Sequence, residues 1–138
     1  MSLDRDMVDF RTMENGQTAE ISDQGSYHNQ VTLSSTNNKT WYLKVNLIRP
    51  FTSGVNTIPN EYFEWKAVDV ITGKGIVTNG VNVPTPFRDA PSLVYTSDPV
   101  DNTGNEVNIR FRYILTIPKN QIAGNYFASI RWTMTELL

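Results

Sequence analysis

The segment of residues 98–105 holds the densest set of oxygen-bearing side chains in the sequence. Asp98, Asp101, Asn102 and Asn105 offer carboxylate and amide oxygens. Ca²⁺ takes about six to eight oxygen ligands of this kind. The segment lacks the regular spacing of an EF-hand loop, and Asp, Asn and Gly are also ordinary turn residues. It therefore predicts either a calcium site or a solvated turn.

Residues for catalysis are few. His28 is the only histidine and cysteine is absent, so a nucleophile–base pair would need a serine and an acid placed beside His28. We expect His28 to be an exposed turn residue. Asp69, Asp89 and Asp98 could supply the two carboxylates of a glycoside hydrolase, but no pattern places two of them together. The composition favours a protein without enzymatic activity.

Five aromatic side chains fall outside the predicted core faces or in loops. They are Tyr42, Tyr62, Phe87, Tyr95 and Phe127. Exposed flat rings can stack against sugars, which makes such residues candidates for glycan binding. Tyr42 and Phe127 stand out because each interrupts an otherwise polar strand face, so these two are the predicted ligand-binding residues. The alternative is cross-strand aromatic pairing or a second buried surface.

The composition is that of one globular domain. The 138 residues are 39% hydrophobic and 19% charged, and the net charge is −2 with scattered basic residues, which argues against a nucleic-acid partner. No apolar run approaches the ~20 residues of a membrane span, and the start lacks the apolar region of a signal peptide. We expect residues 1–5 to be a disordered start left by an expression vector, and residues 6–138 to be a single domain excised from a longer protein.

Alternation of apolar and polar residues predicts the strands that carry these side chains. It is most regular in residues 107–117 and 126–134, which should form an antiparallel hairpin or face each other across a two-sheet core. Trp41, Trp65 and Trp132 lie on apolar strand faces and are predicted to form the centre of the core.

Weaker alternation and turn residues locate the other elements. Proline should end one strand at Arg49-Pro50, and residues 75–91 should wander with one short edge strand near residues 76–78. The pattern predicts an all-β fold, a single antiparallel β-sandwich, immunoglobulin-like, with about seven to nine strands. The remaining strands are predicted at residues 7–13, 18–21, 30–35, 40–48, 61–71 and 92–96, with a turn at residues 23–26.

Two short motifs resemble those of bacterial WxL domains. Trp41-x-Leu43 resembles the first motif and Trp132-x-Met134 the second, with Met134 where the family has Leu. An Ala-Gly-x-Tyr sequence ending at Tyr126 precedes the second motif, as in the closing hairpin of that family. WxL domains are β-sheet modules at the C-terminus of secreted bacterial proteins, held non-covalently on peptidoglycan. The resemblance implies an extracellular location at the cell surface.

With this resemblance, the sequence predicts a non-enzymatic extracellular β-sandwich module of a bacterial surface protein. Its partner would be cell-wall polysaccharide or another surface protein, and no nucleic acid or membrane span is expected. A structural domain, pilin-like or a spacer, is the alternative, and a carbohydrate-active enzyme or lectin is a minor one. No cofactor is expected, apart from calcium if residues 98–105 bind it.

Overall fold

The computed structural model describes residues 1–4, 8–10, 12–21 and 27–138. Within these ranges it contains eleven strands and two short 3₁₀ helices, at Asn60–Tyr62 and Pro99–Asn102. In chain order the strands are β1 (Ser2–Leu3), β2 (Thr18–Ile21), β3 (Asn29–Leu33), β4 (Tyr42–Ser53), β5 (Asn56–Thr57), β6 (Phe63–Thr72), β7 (Ile76–Val77), β8 (Thr85–Pro86), β9 (Ser92–Thr96), β10 (Val107–Thr116) and β11 (Phe127–Thr135).

The strands form two antiparallel sheets that pack against each other, which confirms the predicted all-β sandwich. Sheet A has the order β1-β3-β10-β6-β8, with β2 also paired to β10. Sheet B has the order β11-β4-β9-β7, with β5 also paired to β4. Seven strands have four or more residues, and β7 is the short edge strand that was predicted. The other two-residue strands escaped prediction because two residues carry no alternation.

The two closing strands face each other across the core and do not form a hairpin. β10 lies in sheet A and β11 in sheet B, and the rings of Phe111 and Trp132 meet between the sheets with centroids 4.6 Å apart. The longer strands from β3 onwards change sheet at every step. Immunoglobulin domains instead keep several consecutive strands in one sheet, so the likeness to them extends to the two packed sheets and not to the connections.

The core contains the aromatic side chains that the alternation placed there. Trp41, Trp65 and Trp132 are all buried, with Trp132 the most exposed of the three at 8%. The apolar side of β10 is buried from Val107 to Leu115. Along the first part of β11, Ala128, Ile130 and Trp132 are less exposed than the residues that alternate with them, Phe127, Ser129 and Arg131. The prediction that the three tryptophans lie in the core is therefore confirmed.

Three residues predicted to be exposed or in loops are buried instead. His28 is 2% exposed, because its backbone N–H donates to the carbonyl of Phe111 and holds the residue against sheet A. Phe87 and Tyr95 are also buried. β8 pairs with β6 and carries Phe87 over the core, where its ring stacks on Phe63 at 4.4 Å.

Proline does not end β4. The strand runs through Pro50 to Ser53, and its pairing with β11 shifts register between the pairs Arg49–Ser129 and Thr52–Phe127. Pro50 lies in this irregular stretch, where a regular ladder hydrogen bond is not required of it. The predicted end of the strand at Arg49-Pro50 is therefore wrong.

The beginning of the chain also differs from the prediction. Ser2 and Leu3, expected to be disordered, pair with Thr32 and Val31 of β3. Residues 8–10 and 12–13 form no strand, although some of their apolar side chains pack on the core. Residues 7 and 11 of the predicted first strand, and the predicted turn at residues 23–26, lie outside the described residues.

Candidate functional site

A groove of about 400 Å³ opens at one end of the sandwich, where β3, β4 and β11 meet. One wall is the segment that follows β3, and the other is the end of β11 with the residue that follows it. Four of the lining side chains carry hydroxyl groups, so the surface is polar and nearly neutral. The groove is lined by residues 34–37, Trp41 and residues 134–136.

Local chain geometry brings the two walls together. The segment after β3 turns at Asn38, whose φ of 55° lies in the left-handed region that asparagine tolerates better than most residues. Asn37 then extends towards β11, and its side-chain amide donates a hydrogen bond of 2.7 Å to Oε1 of Glu136. This bond connects the two walls at the surface and defines one boundary of the groove.

The two predicted ligand-binding residues lie far apart. Tyr42 pairs with Thr135 at one end of the β4–β11 ladder, and Phe127 pairs with Thr52 at the other. At about 3.3 Å per residue, the ladder separates them by roughly 30 Å. Tyr42 is half-buried and borders the groove through Thr135, whereas Phe127 is 68% exposed at the far end. The two rings therefore belong to different places: Tyr42 pairs with Thr135, which lines the groove, although Tyr42 is not itself a lining residue, and Phe127 lies at the far end of the ladder.

The two motifs that resemble WxL domains are neighbours in sheet B. Leu43 pairs with Met134 and Val45 pairs with Trp132, so both motifs lie at the same level of the β4–β11 ladder. Trp41 and Met134 also line the groove. Cross-strand packing in one apolar core accounts for the hydrophobic side chains of both motifs.

Residues 98–105 form a compact, internally bonded turn. Asp98 caps the 3₁₀ helix Pro99–Asn102: its side chain accepts from the backbone N–H of Val100 at 3.0 Å. Asp101 is 1% exposed, and its two carboxylate oxygens accept hydrogen bonds from Lys74, Tyr95 and Asp98. The carboxylate of Asp101 is thus already bound by protein donors.

The two amide side chains of the predicted calcium ligands have different environments. The amide nitrogen of Asn105 donates to the carbonyl of Val100 at 2.9 Å, whereas Asn102 is buried and its Oδ1 has no hydrogen-bond partner among the described residues. Among the described residues, no three His, Asp or Glu side chains are grouped so as to hold a metal ion.

The carboxylates considered for glycoside hydrolysis lie on separate elements. Asp69 lies on β6 of sheet A, where it pairs with Arg110 of β10. Asp89 lies in the segment that bonds to β4 of sheet B, and its Oδ1 accepts from the side chain of Asn60 at 2.8 Å. Asp98 caps the helix after β9. Each carboxylate thus belongs to a different element.

Most of the groove could not be found from the sequence. Residues 36–39 have the composition of an ordinary turn, and nothing local marks Glu136 as a site residue. The polar composition of residues 34–38 was the available signal, but only the fold shows that this segment faces the end of β11.

Comparisons with known proteins leave the fold as the firmest description of the chain. Among the described residues, no helix has the length and hydropathy needed to cross a membrane. No family model matches the chain, and no curated protein or solved structure matches it significantly.

Proposed function

We propose that this domain is a non-enzymatic extracellular module of a bacterial surface protein, and that its groove binds a segment of cell-wall glycan. The observation that carries the proposal is the polar groove beside Tyr42. Its volume of about 400 Å³ falls within the range of small-molecule sites, about 300–1,000 Å³.

The lining of the groove fits a neutral, hydroxyl-rich ligand. Ser34, Ser35, Thr36 and Thr135 carry hydroxyl groups that can donate and accept hydrogen bonds. Glu136 is the one acidic lining residue, and Asn37 already donates to it. A sugar chain offers hydroxyl groups to such a surface and a flat C–H face to a neighbouring aromatic ring, which Tyr42 would supply.

The cell-surface location rests on the resemblance to WxL domains. Both motifs of that resemblance lie side by side in sheet B, and two of their side chains, Trp41 and Met134, line the groove. This arrangement supports a glycan of the cell wall as the ligand.

The test compares two aromatic variants in a pull-down with purified peptidoglycan. Tyr42→Ala removes the ring of the residue that pairs with Thr135 of the groove, and Phe127→Ala removes an exposed ring roughly 30 Å away along the ladder. We expect the wild type and Phe127→Ala to pellet with peptidoglycan and Tyr42→Ala to remain in the supernatant. Thermal unfolding of each variant checks that the fold is retained.

A substitution in the groove wall provides a second measurement. Asn37→Ala removes the amide that bonds to Glu136 and leaves the core untouched. It should weaken glycan binding in the same assay. Loss of binding in Phe127→Ala alone would move the site to the other end of the sheet, and no binding by the wild type would remove the glycan proposal. In that case a purely structural role, as a spacer or an assembly domain, would be favoured.

A further inference from the structure

The sheet edges differ in how well they are protected from pairing with a further strand. Three of the four terminal strands, β1, β7 and β8, have two residues each. The fourth, β11, has nine. Short edge strands are one way in which proteins prevent further strands from adding to a sheet. β11 lacks this protection.

One side of β11 is unpaired along its regular part. Its only partner strand is β4, and no backbone hydrogen bond links residues 127–135 to any other segment in the described part of the chain. Irregular pairing is confined to Phe127–Ile130, whereas Ile130 to Thr135 pair with Leu47 to Tyr42 without a shift. In an antiparallel sheet, every second residue of such an edge directs its N–H and C=O outwards.

The outer face beside this edge carries cations for which the described part of the chain provides no acidic partner. Arg131 is exposed on β11, and Lys44 and Arg49 lie on the same face of β4, opposite Thr133 and Ser129. Among the described residues, no ion pair reaches any of these three cations. Sheet A differs.

On the outer face of sheet A, Glu20 bonds to Lys66 at 2.8 Å and to Arg112 at 3.3 Å. These two cations lower the pKa of Glu20, with the hydrogen bond from Lys66 as the largest cause. Lys66 and Arg112 of sheet A are therefore paired with an acidic residue, whereas among the described residues the three cations beside β11 are not.

The inner face of the same edge is incompletely covered. Ala128, Ile130 and Met134 point towards the core but are only half-buried. Apolar side chains of an added strand would lie beside them, since paired strands lie about 4.8 Å apart with their side chains in register.

We propose that the free edge of β11 binds an extended segment of another protein in which acidic and apolar residues alternate. The acidic residues would lie beside Arg131 on the outer face, and the apolar ones beside Ile130 and Met134 on the inner face. Backbone hydrogen bonds to residues 130–135 would supply the affinity, and the alternation would set the register. This proposal does not depend on glycan binding in the groove.

Charge disfavours a second copy of this chain as the occupant. Pairing β11 with the β11 of another copy would place Lys44, Arg49 and Arg131 of both copies on one continuous face. Arg131 of the two copies would then lie on neighbouring strands, where like charges that face each other are destabilising. An acidic segment avoids this repulsion and compensates Arg131, which lies on the strand that it joins.

The test uses the whole chain and synthetic peptides of the length of β11. One peptide alternates Glu and Val, and a second has the same composition with the Glu and Val residues in separate blocks. Fluorescence polarisation measures binding, and amide hydrogen exchange of the protein reports which backbone groups become protected. We expect the alternating peptide to bind and to slow exchange at alternate residues of 130–135, and the block peptide to bind at least about tenfold more weakly.

Two charge reversals form a matched pair. Arg131→Glu should lower the affinity for the alternating peptide about fivefold or more, because a cross-strand attraction becomes a repulsion. Lys119→Glu changes the net charge equally at an exposed loop position and should leave the affinity within about twofold. Equal binding of both peptides, equal effects of both reversals, absence of binding, or unchanged exchange in β11 would each overturn the proposal. A concentration-dependent dimer that protects the same amides would overturn it in favour of a second copy.

Discussion

The hydroxyl of Tyr95 donates a hydrogen bond of 2.7 Å to Oδ2 of Asp101, and both side chains are almost completely buried. The same hydroxyl accepts from the backbone N–H of Gly75 at 2.7 Å. Oδ1 of Asp101 accepts from the backbone N–H of Lys74 at 2.9 Å. A single buried carboxylate therefore joins β9, the turn before β7 and the 3₁₀ helix that follows β9.

Substitution of Asp101 should reduce stability. Asp101→Asn keeps the shape of the side chain but replaces one acceptor oxygen by an NH₂ group that faces protein donors. We expect the free energy of unfolding to fall by about 1–3 kcal/mol in urea denaturation. Asp69→Asn is the matched control, since Asp69 is exposed on β6, and it should change stability by no more than about 0.5 kcal/mol. Equal effects of the two substitutions would contradict a structural role for Asp101.

Gly75 should not tolerate a side chain. A Cβ at this position would lie 2.1 Å from the carbonyl oxygen of Thr96 and 2.7 Å from the hydroxyl of Tyr95. Because Thr96 pairs with Ile76, its carbonyl cannot move without disturbing the β7–β9 pairing. We expect Gly75→Ala to lower the free energy of unfolding by about 2–4 kcal/mol, through overpacking and a weakened Tyr95 bond.

Gly54→Ala separates steric crowding from backbone strain. Gly54 has a φ of 61°, and a methyl group added there would meet no atom within 4 Å. Only the left-handed backbone is therefore penalised in this variant, by about 1–2 kcal/mol. A loss in Gly75→Ala no larger than that in Gly54→Ala would show that the close approach at Gly75 is not restrictive.

The strands that sequence periodicity predicted well are those whose two faces see different environments. β10 and β11 alternate because one face packs on the core and the other meets water, and this requires only local information. Whether two such strands pair in one sheet or face each other across the core depends on the rest of the topology. For this reason the sequence left both arrangements open, and Phe111 and Trp132 meet between the sheets.

The candidate site was less predictable because it depends on register. Tyr42 and Phe127 both interrupt polar faces, and nothing local indicates that the β4–β11 ladder places them at opposite ends.

The prediction that Tyr95 lies outside the core was wrong for a different reason. Its ring is polar at one end and apolar elsewhere, and burial became favourable only because Asp101 and Gly75 provide partners for the hydroxyl.

Calcium should not change the stability of the domain. Both carboxylate oxygens of Asp101 accept hydrogen bonds from protein donors, and Asp98 caps the adjoining helix. A cation would have to displace these bonds to use the same oxygens. We expect the urea midpoint to be the same with excess Ca²⁺ and with a chelator. A higher midpoint in Ca²⁺ that disappears in Asp98→Ala would instead show that residues 98–105 bind the ion.

Stability should fall at alkaline pH because of two buried tyrosines. Burial, followed by the hydrogen bond to Asp101, raises the pKa of Tyr95 above its ordinary value, and burial likewise raises the pKa of Tyr113. In the unfolded chain both phenols lose their protons at about pH 10, whereas in the folded protein they retain them at that pH. The unfolded state then binds fewer protons, so the free energy of unfolding decreases as the pH rises above about 10 and is unaffected by these groups below it.

Each tyrosine should contribute a slope of at most about 1.4 kcal/mol per pH unit. Urea denaturation at several pH values from about 8 to 11.5 measures this slope. Tyr113→Phe removes one of the two groups, along with the hydrogen bond that its hydroxyl donates to Asn29. The variant should therefore be less stable than the wild type below about pH 10 and should lose stability less steeply above that pH, so that the two stabilities converge. An unchanged slope would show that Tyr113 does not retain its proton in the folded protein.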